Sequence, residues 1–355
     1  MAHRTFWTLG DQVSNLLREG MLSGRWRGTL PGRERLAQEL GVSHKTVEAA
    51  MRQLAAEGLL VSQGSGQRRR IVLPEGGGGT RELRVRILLY DKQDAGSGYN
   101  QELLDQLHQA GFSANYALKT LNDLGMDAKR IARFVTKTTA DAWIVCSGSR
   151  EVLEWFSQQS VPAIAMFGRF SGLPIAAASP RKSPALARAV RCLVALGHRR
   201  IVMLAREERR KPYPALFEAN FLKELEAHGL ATGPYNLPDW EESPAGFRAG
   251  LDALFQLTPP TALLLDEPGF FMAAQQCLAR RGIHAPEHVS LICCDPNPVF
   301  NWCEPAISHL HWEHGPVVQR VVRWTKNVAR GKDDHRQVFV DAEFFEGGTV
   351  GPVRL

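Results

Sequence analysis

Four consecutive glycines, Gly76 to Gly79, sit in the run Pro74 to Thr80 and divide the chain. Glycine loses more backbone entropy on ordering than any other residue, so such a run holds no regular element and reads as a flexible joint. A length of 355 residues agrees with that division, because a single hydrophobic core seldom grows past about 250 to 300 residues. Charge is split at the same place. Residues 1–74 hold 11 Lys/Arg against 6 Asp/Glu, so nearly all of the net +6 lies in the first fifth of the chain, where it attracts a polyanion.

Before the joint, Leu9, Val13, Leu16 and Leu17 recur at helical spacing after a cap at Thr8, and Leu36, Ala37 and Leu40 mark a second, shorter helix. Gly41 and Val42 turn the chain. Ser43 then offers a side-chain oxygen to the free amides of a third helix, whose apolar stripe is Val47, Met51 and Leu54 and whose stop is Gly58. Three short helices with a tight turn between the last two form a helix-turn-helix. The strands Leu59 to Val61 and Ile71 to Leu73, joined through Gly64 and Gly66, make a hairpin, the wing.

After the joint, apolar strands alternate with amphipathic helices. The strands expected are Val85 to Tyr90, Ala142 to Cys146, Ala163 to Phe167, Ile201 to Leu204, Ala262 to Leu265 and Val289 to Cys294. Between them fall helices over Gln101 to Ala110, Ala128 to Thr136, Pro184 to Leu196, Ala215 to His228, Phe270 to Arg281 and Pro316 to Ala329. That alternation predicts parallel sheets covered on both faces, and about 270 residues suffice for two of them. The six cysteines lack a CxxC pair and lie mostly in apolar stretches, which predicts reduced, buried thiols. No apolar run approaches the ~18 residues of a membrane span, and Met1 to Leu17 shows no apolar core with a cleavage site; the expectation is a cytoplasmic protein without membrane contact.

The run Leu30-Pro31-Gly32-Arg33-Glu34-Arg35-Leu36-Ala37, then Leu40-Gly41-Val42-Ser43-His44-Lys45-Thr46-Val47, Leu54 to Leu60 and the Gly64-Ser65-Gly66 turn resembles the GntR family of winged-helix repressors. Leu196-Gly197-His198-Arg199-Arg200-Ile201, Pro260-Thr261-Ala262 with Asp266, Gly282-Ile283, Pro286, Val289-Ser290-Leu291 and Asp295 resemble the effector domain of LacI-type regulators, itself similar to periplasmic sugar-binding proteins. The fold class expected is α/β: an N-terminal winged helix-turn-helix (1–73), a glycine-rich linker (74–83) and a two-lobed periplasmic-binding-protein-like domain with parallel sheets (84–355). Its first lobe spans about 84–178 and 308–330, its second about 179–307 and 331–355. The resemblance implies a homodimer on double-stranded operator DNA, probing its surroundings through a small-molecule effector, a sugar or sugar derivative, held between the lobes, with no cofactor.

A recognition helix enters the major groove by its N-terminal half, which selects Ser43, His44, Lys45, Thr46 and Glu48 as base readers. Arg33, Arg35 and Arg52 are the neighbouring cations. Gly64, Ser65, Gly66, Gln67 and Arg68, continuing into Arg69 and Arg70, form a basic wing suited to phosphate or minor-groove contact. The family commonly carries arginine where this chain has Glu34, His44 and Glu48, so its operator is expected to differ. Glutamate accepts from a cytosine amino group but does not neutralise phosphate.

In two-lobed α/β domains, ligand contacts come from the carboxyl ends of strands. That rule selects Asp91, Tyr99, Asn100, Ser147, Arg169, Asp266, Glu267 and Asp295, with Tyr99, Trp302 or Trp312 as stacking faces. Alignment on Phe221 puts Phe217 and Asn220 where the LacI type often has an arginine and a glycine, so the pocket is expected to take an unusual ligand or to have lost its small molecule. The alternative functional reading is therefore a ligand-independent repressor with a vestigial pocket. His309, His311 and His314 with Cys303 match no compact zinc spacing, and the absence of GxSxG, HExxH and GxxxxGK[ST] patterns sets an enzyme aside.

Overall fold

The computed structural model describes residues 9–22, 26, 28–61, 68–72 and 83–353. The chain forms two compact units, Met1–Gly79 and Thr80–Leu355. The expected cap Thr8, the wing residues Gly64, Ser65, Gly66 and Gln67, and the glycine joint lie outside the described residues.

The first unit contains α1 (Leu9–Leu22), α2 (Arg33–Leu40), α3 (His44–Ala56), β1 (Leu60–Val61) and β2 (Arg70–Ile71). Its core takes Val13, Leu17 and Met21 from α1, each one turn after the last, together with Leu36, Val47, Ala50, Met51 and Leu54. Leu16, expected on the buried stripe, is 49% exposed; Met21 completes the face instead. Between α2 and α3 the chain turns at Gly41, whose φ of 65° closes the α2 cap onto the Ala37 carbonyl. Ser43 starts α3 by accepting from the Thr46 amide. β1 and β2 pair antiparallel, Leu60 opposite Ile71, and Thr29 bridges to Arg70 on the other side.

The second unit begins with β3 (Arg84–Leu88), α4 (Gly98–Gln109), β4 (Ser113–Tyr116), α5 (Ala128–Lys137), β5 (Ala142–Cys146), α6 (Arg150–Ser157), β6 (Ala163–Met166) and β7 (Ala176–Arg181). It continues through α7 (Ser183–Ala195), β8 (Ile201–Leu204), α8 (Glu207–Arg210), α9 (Leu216–Ala227), α10 (Pro244–Leu257), β9 (Ala262–Leu265), α11 (Pro268–Ala279) and β10 (Ser290–Cys293). It closes with β11 (His309–His311), α12 (His314–Ala329), β12 (Gln337–Asp341) and β13 (Glu343–Phe345). Six strands form an all-parallel sheet in the order β12-β7-β6-β5-β3-β4. Five form a second sheet, β13-β11-β10-β9-β8, parallel except where β13 runs against β11.

The chain passes between the sheets at Lys182, after β11, and at Ala342. β12 pairs with β7, so residues 337–341 lie in the first lobe's sheet rather than in the second lobe, where the sequence reading put everything after 330. Exposure explains the oversight: Val338 and Phe339 are both half-open on this edge strand, which blurs the apolar signal. β11 conversely belongs to the second sheet, although the reading began the return to the first lobe at 308. One apolar cluster runs through both lobes, from Val85 and Leu103 to Phe221 and Leu264, and each sheet has a further cluster on its other face.

The loops after β5 and β6 pack so closely that Gly168, at φ 86°, would place a Cβ 2.6 Å from the Gly148 carbonyl oxygen. Gly172 shares a positive φ of 73° but opens onto free space. Gly168→Ala is expected to cost more than about 2 kcal/mol and to lower the melting temperature by several degrees. Gly172→Ala carries backbone strain alone and should cost about 1 kcal/mol; equal melting shifts for the two would contradict the packing described.

Candidate functional site: the exposed face of a helix and an ion-pair network between two lobes

In the first unit, α3 turns Val47, Ala50, Met51 and Leu54 inward and leaves Ser43, His44, Lys45 and Arg52 exposed, with Thr46 and Glu48 half-buried. The predicted readers thus share the outer side of one helix start. Ser43 and Thr46 are partly engaged with each other, their hydroxyl oxygens 2.8 Å apart, so capping occupies part of their capacity. Arg33 stands 3.8 Å from Glu48 in an exposed pair, while Arg35 points to solvent from the same helix. An exposed pair of this kind contributes little stability, but it places the guanidinium beside α3. On the wing, Arg68 and Arg70 are exposed and Arg69 is half-buried.

In the second unit, the carboxyl ends of both sheets converge on charged side chains. Arg206 follows β8, and its guanidinium is shared by Glu242, 2.8 Å away, and Glu267, at 2.7 Å through Nη2 and closer through Nε. The same guanidinium lies 4.6 Å from the centre of the Tyr90 ring, and the Tyr90 hydroxyl donates to Glu242 at 3.1 Å. Those contacts join the first lobe to the second. Arg209 donates to Glu218 at 2.8 Å and approaches Asp266 at 3.1 Å without the alignment of a hydrogen bond to that oxygen. Arg169, from the first lobe, donates to the backbone carbonyls of Glu208, Lys211 and Tyr213 at 2.9 to 3.1 Å and covers the Tyr213 ring. It is a latch across the lobes.

Asp295, at the end of β10, accepts from Lys182 at 3.0 Å and from the Trp312 indole at 2.8 Å. Both donors sit where the chain passes between lobes, so Asp295 ties two of the crossings together. Phe217 is buried beneath Lys182 and Arg209, 5.0 and 5.5 Å from its ring centre. Position 217 itself carries no guanidinium, and that of Arg209 lies over its ring from another element. Asn220 donates to Ser183. Tyr99 packs edge-on to Phe167 and beside His314, while Trp312 meets both of those rings.

Other expected ligand residues are placed differently. Asp91 caps the turn Lys92–Gly96 and accepts from Asn122 at 3.0 Å. Asn100 is buried and donates to the Asp94 carbonyl. Ser147 follows β5 at a φ of 55°, its amide held by the Met166 carbonyl. Trp302 stands 88% exposed on the turn Pro298–Trp302. Among the described residues no group of three or more His, Cys, Asp or Glu is placed to hold a metal. Of two hollows, one of about 380 Å³ lies beside Trp143 and Trp155, and the other, of about 290 Å³, borders the α8 segment at Arg210, Lys211, Pro214 and Leu237.

Tyr90, Lys182, Arg206, Glu208, Arg209, Glu218 and Glu242 were not singled out from sequence. For Arg206 and Arg209 the signal was present, since both follow the strand Ile201 to Leu204 that the pattern had located. Glu218 and Glu242 lie far along the chain from any strand end, and only folding brings them in.

Burial raises the carboxyl of Glu208 to about 8, with Arg209 opposing and Asp266 reinforcing the shift. Burial likewise raises Glu218 and Glu267, against the pull of Arg209 and Arg206 respectively. The hydroxyl of Tyr90 is raised chiefly by burial, with Glu208 and Glu242 adding to it.

A helix-turn-helix with a wing and a two-lobed body whose site lies between paired parallel sheets define a regulator-like architecture. A family model described as bacterial regulatory proteins, gntR family, matches residues 9–68, and one described as a periplasmic binding protein-like domain matches residues 190–350. The chain thus carries a gntR-type head and a periplasmic-binding-protein-like body, the make-up of a transcriptional regulator. No curated protein matches it by sequence. Among solved structures, the transcriptional regulator CelR in complex with cellobiose is 16% identical, with a TM-score of 0.62 over 90% of this chain and 100% of that one. The LacI family regulator from Enterococcus faecium with bound ribose is 14% identical, with a TM-score of 0.60 over 76% and 100%. The Escherichia coli transcriptional repressor ascG is 17% identical, with a TM-score of 0.57 over 76% and 99%. At these identities the likeness establishes the fold. The gntR model is one of regulatory proteins, the three structures are of transcriptional regulators rather than enzymes, and no helix among the described residues is long and apolar enough to cross a membrane.

A carboxyl whose native pKa lies above its ordinary 4.5 keeps a proton that the unfolded chain releases. Its contribution to stability is present below about 4.5 and lost as pH rises through about 8. Glu208→Gln keeps the shape without the ionisation. Thermal melts should show little gain for this variant at pH 5 and a gain of several degrees at pH 9; a gain that is the same at both would contradict the burial of this carboxyl.

Proposed function

We propose that the chain is a cytoplasmic transcriptional repressor that binds double-stranded operator DNA as a homodimer and responds to a small molecule held between its lobes. Residues 1–73 form the reading head, 74–83 the tether and 84–355 the sensing and dimerising body. The observation that carries this reading is the outer face of α3. Its start presents His44 and Lys45 to solvent on a helix whose opposite face is fully used in the core, with Arg52 further along and Arg68 and Arg70 on the wing. A polar, cationic helix start on a small rigid head is the arrangement that enters a major groove. For the sensing end, support comes from the bound sugars named for two structures of this fold, cellobiose and ribose.

A second reading keeps DNA binding and discards the effector. It is favoured by the filling of the space between the lobes with Arg206, Arg209 and Arg169 and their partners. A thermal-shift screen separates the two, since an effector at about 100 times its dissociation constant adds ~2.7 kcal/mol to stability.

Binding of the purified chain to its own promoter region, followed by fluorescence anisotropy across a salt series, tests the head. Arg52→Ala should weaken binding alike on all sequences and reduce the magnitude of the logarithmic salt slope by about 1. His44→Ala should cost about 1–3 kcal/mol on the cognate site and narrow its advantage over other sequences. Binding that is absent, or insensitive to salt, overturns the reading.

A further inference from the structure

The space between the lobes holds more carboxyl groups than cations, so its charge balances only where some of those carboxyls keep a proton. Arg206 is shared between Glu242 and Glu267, Arg209 between Glu218 and Asp266, and Lys182 is held by Asp295. Glu208 adds a further carboxylate. Its Oε2 is buried without a hydrogen-bond partner, and its main chain is where the Arg169 latch lands. Glu218 is fully buried, and its Oε2 also lacks a partner. Four side-chain cations, Lys182, Arg169, Arg206 and Arg209, thus share the space with six carboxyl groups, and three buried oxygens, on Glu208, Glu218 and Asp266, have no hydrogen-bond partner.

Buried oxygens of this kind demand a donor, and a buried carboxyl that gives up its proton demands another positive charge in its place. A neutral polyol answers the first demand alone. An ammonium group answers both, with three N–H donors and a positive charge. The walls suit it as well: Tyr90 and Phe217 already present their ring faces to Arg206 and to Lys182 and Arg209. We propose that the site between the lobes takes a small polar molecule carrying a protonated amine, whose ammonium donates to Glu208 and Glu218. This rests on reading the site as an effector site and departs from a neutral sugar as its occupant.

The test uses the full chain in thermal-shift and titration-calorimetry measurements. The probes are putrescine, spermidine, D-glucosamine and D-galactosamine, each set against an uncharged counterpart: 1,4-butanediol, D-glucose, D-galactose or N-acetyl-D-glucosamine. At least one amine should raise the melting temperature while its counterpart does not. Glu208→Gln, with its folding checked by its own melt, should lose at least about tenfold in affinity for that amine. The proposal is overturned if an uncharged counterpart binds as tightly, if Glu208→Gln binds the amine undiminished, or if no amine binds. DNA binding measured in parallel keeps the failures apart. Stabilisation by glucose refutes the amine and leaves the effector site standing. Absence of any ligand with DNA binding intact leaves only the effector-free repressor, and an amine bound by a chain with no affinity for DNA refutes the regulator while sustaining the present assignment.

Discussion

Parallel pairing is the constraint from which the rest of the body follows. A parallel sheet puts the carboxyl ends of its strands along one edge, and the connections that leave that edge are free of ladder hydrogen bonds and available for other work. Here two such edges are bound to each other by covalent crossings at Lys182, Trp312 and Ala342, so the groups that follow the strands are forced into one another's company. Arg206 after β8, Asp266 after β9 and Asp295 after β10 meet because of that geometry, although long stretches of chain separate them.

Confinement then dictates chemistry. Carboxylates brought together away from water repel one another and lose hydration, and shared arginines are an economical remedy because one planar guanidinium bonds two acids at once. Arg206 and Arg209 lie three residues apart around the four-residue helix α8, yet they serve different pairs of acids. Arg169 answers a separate need by satisfying carbonyls of the α8 region from the opposite lobe. The lobes are thus joined by directional polar contacts, which specify one geometry, in addition to the apolar cluster that runs through both.

The parts legible in the sequence are those governed by local rules. Strands β5, β8 and β9 lie where the pattern placed them, because they are buried on both faces and so read as continuous apolar runs. The turn at Gly41 and the cap at Ser43 were readable for the same reason: each is a backbone requirement met by one residue. The short strands β4 and β11 were not among those expected, nor were β7, β12 and β13. β7 begins with three alanines and carries Pro180, while β12 and β13 expose much of their surface, so none shows a strong apolar period. In the site, Asp266, Glu267, Arg169 and Phe217 were selected and do come together, whereas Glu218 and Glu242 enter from helix and loop positions that no short-range pattern marks.

The orphaned oxygens of Glu208 and Glu218 bear on what the space between the lobes could hold. A buried carboxyl without a partner can be neutralised by taking a proton or compensated by a cation, and the two remedies compete for the same oxygens. Burial already tips Glu208 toward the proton near neutral pH. A ligand that brings its own positive charge must displace that proton, so its binding free energy includes the cost of ionising Glu208 and gains the attraction of the carboxylate it creates. A ligand without charge meets a protonated Glu208 that can donate as well as accept, and gains only a hydrogen bond. The attraction in the first case grows as water is expelled, because the local dielectric falls. A cation held there and the exclusion of water around it would therefore reinforce each other, which is the physical basis on which a site of this charge pattern would distinguish a cationic solute from a neutral one.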